Sequence, residues 1–187
     1  MKLEAAAESM KSGDLLFFRG TAPHSRLIQL VTRSVYSHVA VVIALRIAGR
    51  RTLCAFEALE GVGVRLTPLD AYLRECQHAG CVVDWYAIAD ASIDRQRIVA
   101  YCLEVWGERY SSLWQFVVSF GRLGRWVAQK LGVRLELDPS RPFCSWVAAA
   151  ALMHAGYEPS DELEPARIDP GAVSRFPCLR RRGGLEI

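Results

Sequence analysis

The chain has no apolar run long enough to cross a membrane. Its longest nearly apolar stretch, Val39 to Leu45, falls far short of the about 20 residues that a spanning helix needs. A secretory opening is also missing, because Met1-Lys2-Leu3-Glu4 passes into Ala5-Ala6-Ala7-Glu8 rather than into an unbroken hydrophobic region. With neither a signal peptide nor a transmembrane segment in view, cytoplasmic residence in the producing cell is the default expectation. No Gly-rich phosphate loop announces a nucleotide cofactor, and no internal repeat is evident. Charge of one sign is scarce too: 23 Lys and Arg stand against 20 Asp and Glu, a net charge of +3. That balance does not single out nucleic acid as a partner, and none is expected. The strongest basic run, Arg180-Arg181-Arg182, has no interleaved aromatics and reads as a solvated tail, although anionic lipid or nucleic acid would use the same charges.

What is present is enough for a core. A chain of 187 residues, 51% of them hydrophobic, encloses one domain, expected over residues 1–187. The six cysteines, Cys54, Cys76, Cys81, Cys102, Cys144 and Cys178, sit in a chain too large and apolar to need a disulfide scaffold, so reduced thiols are expected. Cys76-Gln77-His78-Ala79-Gly80-Cys81 gathers three metal-ligand types. Its spacing is not that of a zinc site and no second pair matches it, so neither metal nor cofactor is expected.

Short β-rich segments alternate irregularly with helical ones. Leu15 to Phe18 follows Gly13-Asp14 as a strand, Ser25 to Thr32 makes a helix capped by Ser25, and His38 to Leu45 has the β-branched density of a strand buried on both faces. Thr52 to Leu59 returns as a strand carrying Glu57, Gly61 and Gly63 loosen the connection to a short helix over Pro68 to Arg74, and Cys81 to Tyr86 is a further strand. Ser92 is a plausible cap for a helix with Ile98, Val99, Cys102, Leu103 and Trp106 on one side. Apolar positions from Leu113 to Leu131 recur at helical spacing, as on a core-facing surface helix. A channel lid or membrane-facing surface would carry the same pattern, which leaves peripheral membrane contact open. Cys144 to Ala155 follows Pro142 and stops at Gly156 as a helix. Without clean βαβ alternation this is an α+β fold, an antiparallel sheet packed against helices.

Cys144 is the nucleophile candidate. At a helix start its thiolate is favoured by the helix dipole, and the free N–H groups of the first turn suit an oxyanion. A cysteine that only packs would look the same. His38 opens the most apolar strand, where an imidazole reaches a cleft from a rigid element, or is a satisfied structural histidine. Glu57, on the next strand, is placed to hold the far ring nitrogen, or is an ordinary strand charge. His154 lies about 15 Å further along the Cys144 helix, too far to serve as its base. Tyr36 either shapes an oxyanion pocket or packs, and the small Ser145 leaves room beside the nucleophile.

Gly13-Asp14-Leu15-Leu16-Phe17-Phe18, Tyr36-Ser37-His38-Val39-Ala40-Val41-Val42, Phe56-Glu57-Ala58 and Phe143-Cys144-Ser145-Trp146-Val147 together resemble the permuted branch of the NlpC-like papain-fold superfamily, its YiiX-like members in particular. There the histidine strand precedes the cysteine helix, the reverse of papain's order. The resemblance implies a permuted papain-like fold with Cys144 as nucleophile, His38 as base and Glu57 as orienting group. Gly107-Glu108-Arg109-Tyr110 resembles the family's Tyr-ending segment, which implies that Tyr110 either lines the cleft or packs there with its phenol on the backbone. The resemblance spans residues 11–176, implying that these form the core of the fold and that the ends are flexible or peripheral. The function implied is a cysteine hydrolase, an amidase or peptidase working through an acyl-enzyme, with cell-wall peptides among the substrates. Lipid-acyl hydrolysis or transfer, as in lecithin:retinol-acyltransferase-like relatives, and an inactive binding module are the alternatives. Trp146 and the long stretch from Tyr110 to Cys144 depart from the pattern and bear on substrate more than on fold. Oligomeric state is not legible.

Overall fold

The computed structural model describes residues 1–109, 130, 143–159 and 168–186. Tyr110, Pro142 and the 113–131 segment, Lys130 apart, lie outside the described residues. The strands β1 (Leu15–Arg19), β2 (His38–Ile47), β3 (Arg50–Leu59), β4 (Gly63–Pro68), β5 (Val82–Ile88) and β6 (Leu179–Leu185) form one sheet in the order β4-β3-β2-β1-β5-β6. Every neighbouring pair is antiparallel. The helices are α1 (Leu3–Ser9), α2 (Pro23–Thr32), α3 (Leu69–His78), α4 (Arg95–Glu104), α5 (Cys144–His154) and α6 (Pro170–Val173). This is the expected mixed fold, and no helix among the described residues is long and apolar enough to cross a membrane.

β2 is apolar on both sides because helices cover both faces of the sheet. Val39, Val41 and Ile43 pack with Ile98 and Cys102 of α4 and with Val147 and Leu152 of α5. Ala40 and Val42, pointing the other way, join Met10 after α1 and Leu69, Tyr72 and Leu73 of α3. Alternate side chains of a strand take opposite faces, so two buried faces require a continuous apolar run.

Gly13-Asp14 fixes where β1 begins. Gly13 has φ +89°, and a Cβ there would come within 2.6 Å of the Ile98 side chain, so the backbone conformation and the contact with α4 both call for glycine. Its N–H donates to the Val42 carbonyl at 2.8 Å. Asp14 is buried, and its carboxylate accepts from the Trp85 indole, the Ile88 N–H and Arg95. One side chain thereby ties β1, β5 and α4 together.

Five expectations are corrected. The helix α2 starts at Pro23 after Ala22 and has no side-chain cap, so Ser25 lies inside its first turn and does not cap it. The cap of α4 is Asp94, which accepts from the N–H groups of Gln96 and Arg97, whereas Ser92 bonds to Asp90. Leu103 and Trp106 are exposed while Ile98 and Cys102 are buried, so the apolar face of that helix is narrower than its sequence. Gly61 and Gly63 do not loosen a connection: they turn a hairpin into β4, pairing Leu59 with Gly63. A Cβ on Gly63, at φ +96°, would meet the Glu108 carbonyl oxygen at 2.5 Å. Finally, Arg180-Arg181-Arg182 lies in β6, not in a solvated tail. Its cohesion comes from backbone pairing with β5 and from Arg181, which donates to buried Asp84 at 2.7 Å; arginines on an edge strand also discourage pairing with another chain. Near this edge the two ends meet, with Leu3 N–H on the Glu186 carbonyl and Glu186 N–H on the Met1 carbonyl, both at 2.9 Å.

If β2 is buried on both faces, Val41→Ala and Val42→Ala each lower unfolding free energy by about 2 kcal/mol. Chemical denaturation of both variants checks this. Loss at only one position would mean that one face is solvated.

Candidate active site

The site forms where β2 and β3 part. Their last Cα partners at this end are Val41 and Phe56, and beyond them the Val39 N–H donates to the Cys144 sulfur. Cys144 is the first residue of α5, with Phe143 before it in extended conformation and no side-chain cap. First-turn N–H groups have no partner within their own helix. That of Ser145 also donates to the Cys144 sulfur.

His38, the first residue of β2, completes the junction. Its Nε2 meets Glu57 Oε2 at 2.7 Å, and the ring also hydrogen-bonds Cys144. With Nε2 held by the carboxylate, Nδ1 is the nitrogen left for the thiol. Cys144 belongs to the apolar cluster on the α4–α5 face, and Tyr72, which contacts Glu57, belongs to the opposite one. His38 therefore bridges the two layers at the mouth of the gap. Phe18 packs against it, with ring centroids 5.4 Å apart, and against Tyr72 at 5.3 Å.

Glu57 is fully enclosed but not alone. Arg65 donates from Nε at 2.9 Å and lies 2.8 Å away through Nη2, both to Oε1, while the Tyr72 hydroxyl donates to Oε2 beside His38. Arg65 is the direct cross-strand partner of Glu57. A buried carboxylate is tolerable when its lone pairs are filled and a cation faces it. Neither Arg65 nor Tyr72 figures in the sequence reading. Recognising Gly61 and Gly63 as a hairpin would have set Arg65 opposite Glu57; no local signal points to Tyr72.

The charges follow from this packing. Burial works against an imidazolium at His38, but the Cys144 thiolate and the Glu57 carboxylate outweigh it and raise the ring to about 10. Burial alone would push the Cys144 thiol up. The His38 charge, its hydrogen bond and the N–H groups of Val39 and Ser145 reverse that and bring it below the ordinary thiol range. Burial likewise opposes ionised Glu57, and His38, Tyr72 and Arg65 hold it lowered. A thiolate–imidazolium pair with a carboxylate behind it is equipped for nucleophilic attack on an acyl carbon.

The remaining expected residues divide. Tyr36 is buried, packs its ring at a tilt against Phe17, and engages its hydroxyl with Asp84 at 2.9 Å and Tyr86 at 3.0 Å; its geometry is the packing alternative. Ser145 offers its N–H, while its buried hydroxyl has no partner among the described residues. His154, expected to be too far along the helix to serve as base, packs against the Tyr101 ring away from the junction. A cleft of about 320 Å³ opens beside His38, lined by His24, Ser25, Ser37 and Glu60 as well as Ile28 and Leu59.

A family model described as a permuted papain-like amidase enzyme, YaeF/YiiX, C92 family, matches residues 9–118, more than half of the chain. The match includes His38 and Glu57 and ends before Cys144. Among solved structures, one described as metalloprotein yiiX from Escherichia coli O157:H7, DUF1105, aligns with a TM-score of 0.61 at 18% identity, covering 91% of this chain and 95% of that one. At that identity the likeness is one of fold. No curated protein matches the chain.

Iodoacetamide should alkylate Cys144 with a pH midpoint below the ordinary thiol value of about 8.5. In His38→Ala the midpoint rises and the rate at neutral pH falls by about 10²-fold or more, as loss of thiolate dictates. Mass mapping of the alkylated residue across pH measures both. An unchanged midpoint in the variant would contradict the ion pair.

Proposed function

This chain belongs to the permuted papain-like amidase family, enzymes that hydrolyse amide or peptide bonds, and we propose that it does so through an acyl-enzyme on Cys144. The observation that carries the reading is His38 hydrogen-bonded on one side to Cys144 and on the other to Glu57. In this mechanism the Cys144 sulfur attacks the carbonyl carbon, forming a C–S bond as the carbonyl electrons move to oxygen. The Cys144 N–H, at the open start of α5, donates to that oxyanion. His38 passes its proton to the leaving nitrogen, and the C–N bond breaks. A water deprotonated by His38 then attacks the thioester and frees Cys144. Glu57 holds the ring in the orientation that serves both steps and balances its charge.

The cleft beside His38 carries the polar groups of His24, Ser25, Ser37 and Glu60 together with apolar Ile28, Ala58 and Leu59, a mixed lining. The amidase family is what supports a peptide or other amide substrate over a long acyl chain, which would be served by an apolar tunnel. Cell-wall peptides are the substrate class proposed, with residues 1–187 acting as one domain. The metal named in that related structure's description is a property of that protein; among the described residues of this chain no group of three His, Cys, Asp or Glu side chains is placed to hold a metal ion. Every step above uses the chain's own groups.

A panel of cell-wall peptides, acyl amides, lipid esters and thioesters, followed by mass spectrometry of products and of protein, tests the reading. Amide or peptide cleavage with transient acylation of Cys144, absent in Cys144→Ala, is expected. Turnover confined to long-chain lipids would reject the substrate class. Glu57→Gln should retain measurable activity, with kcat lowered by about 10²–10⁴-fold, and equality with the parent across pH would remove Glu57 from the mechanism.

A further inference from the structure

Cys76-Gln77-His78-Ala79-Gly80-Cys81 takes no part in the proposed hydrolysis, yet its geometry is specific. The segment ends α3 in a Schellman motif: the Cys81 N–H donates to the Cys76 carbonyl and the Gly80 N–H to the Gln77 carbonyl, both at 2.9 Å. Gly80 supplies the left-handed residue at φ +66°. This motif folds the residue after the cap back onto the last helical turn and brings the side chains at its two ends together, a place usually filled by an apolar pair. Here both ends are cysteine. The turn sets the two thiols side by side, close enough for each to shift the other's ionisation. The Cys81 thiol donates to the Val82 carbonyl at 3.9 Å, and the Thr21 hydroxyl, donating to the Ala79 carbonyl at 3.0 Å, fixes the turn between them. Both are half-buried and free, whereas Cys54, Cys102 and Cys178 are buried.

We propose that Cys76 and Cys81 are a redox-active pair, converted by a small external disulfide of the glutathione type into an intramolecular disulfide across the end of α3. Cys81 is the attacking thiolate. The neighbouring Cys76 thiol lowers it, burial opposes, and the charges of His38 and Arg19 assist; Cys76 is raised by its proximity to Cys81 and by burial. The Cys81 sulfur bonds to one sulfur of the external disulfide, whose S–S bond breaks and releases one thiolate. That thiolate takes the Cys76 proton, and the Cys76 sulfur then attacks Cys81 and expels the second external thiolate, which is protonated by solvent. Two cysteine thiols become one disulfide while one external disulfide becomes two thiols. None of this depends on the hydrolytic reading, and Cys144→Ala removes the other reactive thiol from the test.

The experiment equilibrates the full-length Cys144→Ala chain with mixtures of oxidised and reduced glutathione, native and in urea, and maps cysteine peptides by mass spectrometry. The expected native product has lost two hydrogens and carries a Cys76–Cys81 bond, with an equilibrium constant at least about tenfold larger than in the unfolded chain, where the turn no longer aligns the thiols. Cys76→Ser should instead keep a glutathione adduct on Cys81. A native chain that keeps both thiols at ratios that oxidise the unfolded one, a bond to another cysteine, or no native advantage would each overturn the proposal.

Discussion

Among the described residues His38 alone is bonded to both the thiol and the carboxylate, and the rest of the site depends on that double contact. The thiol comes from a helix on one face of the sheet and the carboxylate from a strand whose partners lie on the other. Neither ionised group would be tolerated alone in its surroundings: a buried thiol is pushed towards neutrality, and a buried carboxylate without partners costs several kcal/mol. A protonated imidazole between them faces both, and with the Arg65 guanidinium on Glu57 two positive charges meet the two negative ones. The surrounding structure holds the ring in that gap, through β2 behind it, Phe18 beside it, and the early end of β2–β3 pairing that releases the Val39 N–H to the sulfur.

The sheet is built around buried acids in the same way. Glu57 is met by Arg65 and Tyr72, Asp84 by Arg19, Arg181 and Tyr36, and Asp14 by Arg95 and Trp85. In each case the partners come from different elements, so folding is needed to assemble the counter-charge, and assembling it fixes which elements meet. Geometry counts for more here than net attraction, because desolvating such pairs offsets much of their Coulomb energy. The β6 edge shows the consequence. It has little apolar surface of its own, yet Arg181 docks it on Asp84 across from β1.

Most of the scaffold was legible in the sequence. The helix at Cys144, the doubly buried strand from His38 and the return strand with Glu57 each carry a strong local pattern, and the order of histidine before cysteine led to the permuted family now shown by the match over residues 9–118. Adjacent antiparallel strands were enough to bring Glu57 within reach of His38. What escaped had no local signature. β4 is short and bounded by glycine and proline, so Arg65 could not be set against Glu57 until the hairpin was known. Tyr72 looks like any apolar-face helix residue. The arginines of β6 carry the composition of a tail, and only their pairing across the sheet gives them a place.

The central claim is that His38 is held as an imidazolium between Cys144 and Glu57, and ¹⁵N NMR of the His38 ring across pH reads that state directly. The account predicts both ring nitrogens protonated through neutral pH, with deprotonation delayed towards about 10 and moved to lower pH in Cys144→Ala, where the thiolate charge is gone while burial remains. Titration of the parent protein near the ordinary histidine value of about 6.5, unaffected by loss of the thiol, would contradict it.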